Sequence, residues 1–211
     1  MIKKIKLPVL FHFMLQFISR PIIKQKNKIR DSVLRHSASR RSLVLDFGCG
    51  EGIFSGIFRD EINITYVEVD KNADLLHFSK HNNKDNLYVI SNEKLCFKNN
   101  TFDFIILSNV LHHMTQDEIS QLMFEISRIL NETGSVIVIE LVPPNQQKWL
   151  HCRIITFLEE RLKKIQYFQA NTLNRFLNQF RLTEEKRLGH NFVQYVFVRK
   201  SENEPGIAGN N

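Results

Sequence analysis

From residue 43 onward, short apolar runs alternate with amphipathic segments. That alternation predicts successive β-α units wound around a largely parallel sheet, an α/β fold. Leu43–Phe47 reads as a buried strand, Gly52–Arg59 as the start of a helix, Ile62–Val69 as a second strand and Asn72–Lys80 as a helix. Leu87–Ile90 and Phe102–Leu107 follow as strands three and four, the latter bounded by Asn99-Asn100-Thr101. Gln116–Leu130 places Ile119, Leu122, Met123, Ile126 and Leu130 on one helical face. Asn131–Gly134 reads as a turn into a fifth strand, Ser135–Leu141, which Pro143-Pro144 ends. Gln147–Ile165 and Thr172–Phe180 carry helical spacing, and Arg181–Leu188 and Phe192–Arg199 are strands that close the domain. The boundaries that follow are a basic and apolar helical arm over 1–41, a domain over 42–200 with a helical insertion at about 143–170, and a disordered tail over 201–211.

The arm follows a different pattern. Read as a helix, it collects His12, Gln16 and Arg20 into one narrow polar stripe, and Val9, Leu10, Phe11, Phe13, Met14 and Leu15 fill the rest. So wide an apolar face needs cover, from the domain itself or from a membrane interface. The run falls short of the roughly 20 apolar residues that span a bilayer. His12 and Gln16 interrupt it and no small-residue cleavage site follows, which reads against a secretory leader.

Charge sharpens this division. Residues 1–41 hold eleven Lys/Arg and a single acid, Asp31, so the net charge of +7 sits on the arm and the body is slightly acidic. Basic clusters at Lys3–Lys6 and Lys24–Arg30 flank the apolar face, as peripheral membrane contact through residues 1–30 would require. Nucleic acid is the weaker partner for them. The three cysteines, Cys49, Cys96 and Cys152, are far apart and lack C-x-x-C spacing, which reads against a disulfide framework or a metal site and suits the reducing cytoplasm.

The candidate chemistry lies at the end of the first strand, in Val44-Leu45-Asp46-Phe47-Gly48-Cys49-Gly50-Glu51-Gly52. Ligands of open α/β sheets bind at that edge, and glycines let the backbone turn sharply and approach a ligand. A nicotinamide fingerprint, G-x-G-x-x-G, would need glycine at position 53, which is Ile53. The spacing is instead G-x-G-x-G with Asp46 two residues ahead, and a carboxylate there favours a cationic ligand over a pyrophosphate. S-adenosylmethionine, which carries a sulfonium and an ammonium, fits that requirement. Asp70 ends the second strand, where an acid can accept both ribose hydroxyls or can cap the following helix. Glu68 shares its strand face but has no assigned role.

Four stretches in order, VLDFGCGEG, VEVDKNADLL, SNEKLCFKNNTFDFIILSNVLHHM and GSVIVIEL, make the chain resemble the class I, Rossmann-like methyltransferases, in the subgroup of ubiquinone/menaquinone-type and small-molecule enzymes. The resemblance covers about residues 42–142. It implies a seven-stranded, mostly parallel sheet whose last strand is antiparallel. It further implies that Asp46, Gly48, Cys49, Gly50 and Gly52 hold the methionyl part of S-adenosyl-L-methionine and Asp70 the ribose. Lys71, Ser91 and Asn92 then meet the adenine, and Ser108 and Asn109 open the stretch that lines the methyl-transfer site. The chain departs from the family pattern at Ser91, where Asp is usual, at Lys71, where an apolar residue is usual, and at Cys96, where Pro is usual.

His112 and His113 are the candidate catalytic bases, since imidazole titrates near neutrality. Glu140, near the end of the fifth strand, faces the same cleft in a structural role. The expected reaction is in-line methyl transfer to a small molecule, apolar or lipid-linked because arm and insertion are rich in Phe, Ile and Leu. The rivals are a nucleic-acid methyltransferase using the basic arm and a cofactor-binding partner protein without catalysis.

Overall fold

The computed structural model describes residues 26–37, 40–50, 52, 54, 56–58, 60–73, 87–89, 95–146, 153, 166–189 and 192–200. Most of the arm and of the insertion, and the tail, lie outside them, as do Ser91 and Asn92. Helix α1 spans Lys26–Ser37 and precedes strand β1, Ser42–Phe47. Then come β2 (Ile64–Asp70), β3 (Leu87–Val89), β4 (Phe102–Ser108), a 3-10 turn at Leu111–His113, α2 (Gln116–Ile129) and β5 (Leu130–Leu141). A 3-10 turn at Pro144–Gln146, α3 (Ala170–Phe176), β6 (Phe180–Leu188) and β7 (Phe192–Arg199) complete the order. No helix among the described residues is long and apolar enough to cross a membrane.

The seven strands form one sheet in the order β3-β2-β1-β4-β5-β7-β6. Neighbours from β3 through β5 pair parallel, and β7 runs antiparallel to both β5 and β6. The order reverses between β1 and β4, and such a switch point opens a crevice outside the carboxyl ends of the strands. The first-strand glycine turn lies there.

Period-two alternation sends side chains to two apolar layers. Leu45, Val67, Ile105, Leu107, Val136 and Val138 pack beneath α2, whose Ile119, Leu122, Met123 and Ile126 are fully or almost fully buried. Val44, Tyr66, Phe104, Ile106, Ile137 and Ile139 face the other way, onto Ile29 and Val33 of α1 and onto Phe54 and Phe58. Thr115 starts α2 with a capping box: its hydroxyl accepts from Glu118 N while the Glu118 carboxylate accepts from Thr115 N.

Four segments differ from the sequence pattern, among them α3, which begins two residues before and ends four residues before the expected bounds so that Phe180 starts β6. The described positions between Gly52 and Phe58 are turns rather than helix. Gly52 and Gly56 have φ of +72° and +79°, conformations outside any right-handed helix. Asn131–Gly134 belongs to β5 as an irregularity: Phe102 pairs with Leu130 and Phe104 with Ser135, so four residues oppose Asp103. In β6 the register slips between Leu182 and Glu184. A bulge of this kind changes which face the following side chains take.

Candidate active site

The glycine turn is pinned to the sheet at both ends. Gly48 N and Cys49 N both donate to Val69 O, at 2.8 and 3.1 Å, and Gly50 N donates to Asp70 Oδ2 at 2.8 Å. Gly48 has φ +71°, and a Cβ there would stand 2.5 Å from Val110 Cγ2. Only glycine therefore lets the turn pack against the segment after β4. Gly50 has φ +55° yet nothing within 4 Å of where a Cβ would lie, so its backbone faces open space. Cys49 is buried, and burial pushes its thiol well above the ordinary range, so it is unreactive packing.

Beneath this turn the α1-facing side of β1 and β2 carries an acidic cluster. Asp46 lies directly opposite Glu68 in the parallel register, and Asp70 follows on the same face. All three are buried. Like charges directly opposite destabilise a sheet. Tyr66 donates to Asp46 Oδ2 at 2.6 Å, while Asp46 Oδ1 has no hydrogen-bond partner. Burial is the main cause that pushes the Asp46 carboxyl up to about 8; the Tyr66 bond opposes it, and the charges of Glu68 and Asp70 add to it. Lys26 of α1 lies within electrostatic reach of Glu68, though burial lowers its ammonium below the ordinary value. Glu68 is the member of this cluster that sequence reasoning left without a role. The signal was its period-two spacing from Asp70.

The ligand-free protein therefore keeps a proton on Asp46 that the unfolded chain has already lost above the ordinary carboxylate range. Between that range and about pH 8 the native state binds more protons, so stability falls as pH rises. Asp46→Asn removes this contribution. The expected result is that the melting temperature of the variant, relative to the parent, rises between pH 5 and pH 9. Parallel pH profiles in thermal melts would refute it.

The end of β4 forms the opposite wall. Ser108 is half-buried, and Asn109 adopts φ +54° with its N–H donating to Ile139 O at 2.8 Å. Its side-chain Oδ1 is buried and has no hydrogen-bond partner. Asparagine tolerates this left-handed conformation better than other residues with a Cβ. The 3-10 turn then presents the two histidines differently. His112 is buried with Nδ1 2.7 Å from Glu140 Oε2, and Leu111 N donates to Glu140 Oε1 at 3.0 Å. His113 is exposed, its ring 4.0 Å from that of His112. Lys71 is exposed and close enough to the start of α2 to help lower the Glu118 carboxyl, chiefly held down by its bonds to Thr115. The structure thus brings Asp46, Gly48, Cys49, Gly50, Gly52, Asp70, Ser108, Asn109 and His112 to one edge of the sheet.

A family model described as a methyltransferase domain matches residues 22–183. The uncharacterised protein MJ0638 of Methanocaldococcus jannaschii is 36% identical over 97 residues, 46% of this chain and 40% of its own length. Among solved structures, an S-adenosylmethionine-dependent methyltransferase of Archaeoglobus fulgidus superposes with a TM-score of 0.68 at 17% identity, covering 90% of this chain and 99% of that one. The PH0226 protein of Pyrococcus horikoshii gives 0.65 at 18%, over 84% of this chain and 91% of that one. The magnesium protoporphyrin IX methyltransferase of Synechocystis, solved with bound S-adenosylhomocysteine, gives 0.62 at 15%, over 85% and 84%. At these identities the structures speak for the fold alone. The family match runs from before α1 into β6, well over half of the chain, and on that ground the protein belongs to the methyltransferase-domain family, on a Rossmann-like fold.

Proposed function

We propose that this protein methylates a small molecule, with the methionyl part of S-adenosylmethionine at the Asp46–Gly52 turn and its ribose at Asp70. The acidic cluster carries the reading. A buried, unpaired carboxylate oxygen on Asp46, set against Glu68 and close to Asp70, favours a ligand that brings positive charge. The open approach to Gly50 leaves room for that ligand, and Asp70 keeps lone pairs for ribose hydroxyls beyond its two backbone bonds. When bound, the cofactor supplies an electrophilic methyl group on a sulfonium.

The protein's share is positioning and proton handling. Glu140 accepts from His112 Nδ1–H, which puts the basic lone pair of a neutral ring on Nε2. That atom is the candidate acceptor for a proton lost by a hydroxyl or amino nucleophile. Holding the nucleophile in line supplies much of the remaining rate. His113 is the exposed partner of the pair and takes a contact role. Lys71 covers the adenine side with its stem. The apolar or lipid-linked acceptor rests on arm residues outside the described ones; the wall after β5 supports a small molecule with polar groups.

Calorimetry tests the cofactor assignment directly. S-adenosylmethionine and S-adenosylhomocysteine are expected to bind, and NAD is not. Tight binding of NAD without either of them would overturn the reading.

A further inference from the structure

A cavity of about 330 Å³ opens at the same sheet edge, beyond β5. That volume lies at the small end of ligand pockets. Its floor is apolar: Phe168 and Tyr195 are almost fully buried, and Val193 pairs in register with Glu140. The cavity therefore lies one strand from Glu140, the partner of His112. Ser108, at the end of β4, is about two strand spacings from β7, roughly 10 Å.

Two charges stand at its mouth, Glu185 and Arg187 of β6. Both are exposed, and among the described residues no ion pair joins them. Arg187 Nη2 donates to Gln146 Oε1 at 2.7 Å, which fixes the guanidinium while leaving it further donors. The bulge after Leu182 is what brings both residues to this wall. Before it, Phe180 and Leu182 face the α2 layer; after it, Glu184 faces away, 3.5 Å from Arg35 of α1, and Leu188 joins the α1 layer. Without the slip, Glu185 and Arg187 would leave the cavity. Alternate residues on one strand face are about 6–7 Å apart, so a carboxylate and a guanidinium are presented side by side above an aromatic floor.

We propose that this cavity is the acceptor site and takes a small zwitterion with an apolar body: its carboxylate on Arg187, its ammonium or amino group toward Glu185, and its body against Phe168 and Tyr195. The assignment rests on the methyltransferase reading and narrows it. A guanidinium fork suits a carboxylate. Glu185 beside it disfavours simple anions and rewards a ligand that carries both charges.

The test uses the full chain saturated with S-adenosylhomocysteine, so that no turnover occurs. Three probes share a ring and differ in charge: L-phenylalanine, 3-phenylpropionate and phenethylamine. Calorimetry is expected to show L-phenylalanine binding at least about tenfold tighter than either, the effect of one charge-assisted hydrogen bond. Arg187→Gln is expected to erase the preference over phenethylamine, and Glu185→Gln the preference over 3-phenylpropionate, with affinity for S-adenosylhomocysteine unchanged. Equal affinities for the three probes, or no binding of any while S-adenosylhomocysteine still binds, would overturn the proposal and leave the cofactor assignment standing. Failure of S-adenosylhomocysteine to bind would overturn both.

Discussion

Replacing Asp70 by alanine is expected to weaken S-adenosylmethionine binding at least about tenfold and to lower the melting temperature of the ligand-free protein. The two losses have one origin. Asp70 Oδ2 accepts from Gly50 N and Oδ1 from Asn72 N, both at 2.8 Å, so one carboxylate joins the glycine turn to the segment just after β2. Truncation removes the acceptor of both donors, and with it the tie that holds the half-buried glycine turn to the end of β2. Each charge-assisted bond lost to a ribose hydroxyl costs about 1.5–3 kcal/mol, and the lost tie to the half-buried Gly50 N, which water can replace, about 0.5–1.5 kcal/mol. Asp70→Asn keeps one acceptor oxygen and should fall between parent and alanine in both measurements. An unchanged dissociation constant with a lowered melting temperature would leave Asp70 only its capping role.

The second large effect belongs to Glu140. Its two oxygens serve Leu111 N and His112 Nδ1 in a place almost closed to solvent. Glu140→Ala strands both donors, at about 1–3 kcal/mol each, and releases the ring that Glu140 orients. Glu140→Gln keeps one acceptor and should fold, yet it no longer fixes the tautomer. If His112 removes a proton, His112→Gln is expected to lower kcat by about 10²–10⁴, the usual worth of a general base. Glu140→Gln should then lower kcat, leave KM for the acceptor near the parent value, and shift the pH dependence of kcat. A purely structural pair predicts lower melting temperatures with kcat and its pH profile unmoved.

Much of this edge was legible in the sequence because it depends on local rules. Strand period, the glycine spacing and the acids at strand ends all act within a few residues, and β1, β4 and β7 fall within one or two residues of the expected bounds. Long-range pairing was not legible. Nothing local says that Asp46 will stand opposite Glu68, because that register is set by the crossover between β1 and β2. Nor does spacing reveal that Glu140 reaches back 28 positions to His112. The segment after Gly52 has helical composition but positive φ at Gly52 and Gly56, where the turn's geometry overrides propensity. Helix α1 lies within the arm read as helical, but its bounds and packing face were not legible: only Ile29, Ser32, Val33 and Ser37 are buried, a narrow stripe on an otherwise charged helix.

The slip in β6 also bears on how the strand tells its two faces apart. Its central residues run Glu184-Glu185-Lys186-Arg187, so either parity would offer the cavity an acid followed by a base. The charges are thus a palindrome of meaning that cannot encode the alignment. The ends do: Phe180 and Leu188, both buried, belong to opposite layers, and no bulge-free strand can satisfy both, since eight steps return a side chain to the face it started from. Two greasy anchors of incompatible phase oblige the strand to skip one beat, and the skip decides whether a guanidinium or an ammonium greets the incoming molecule.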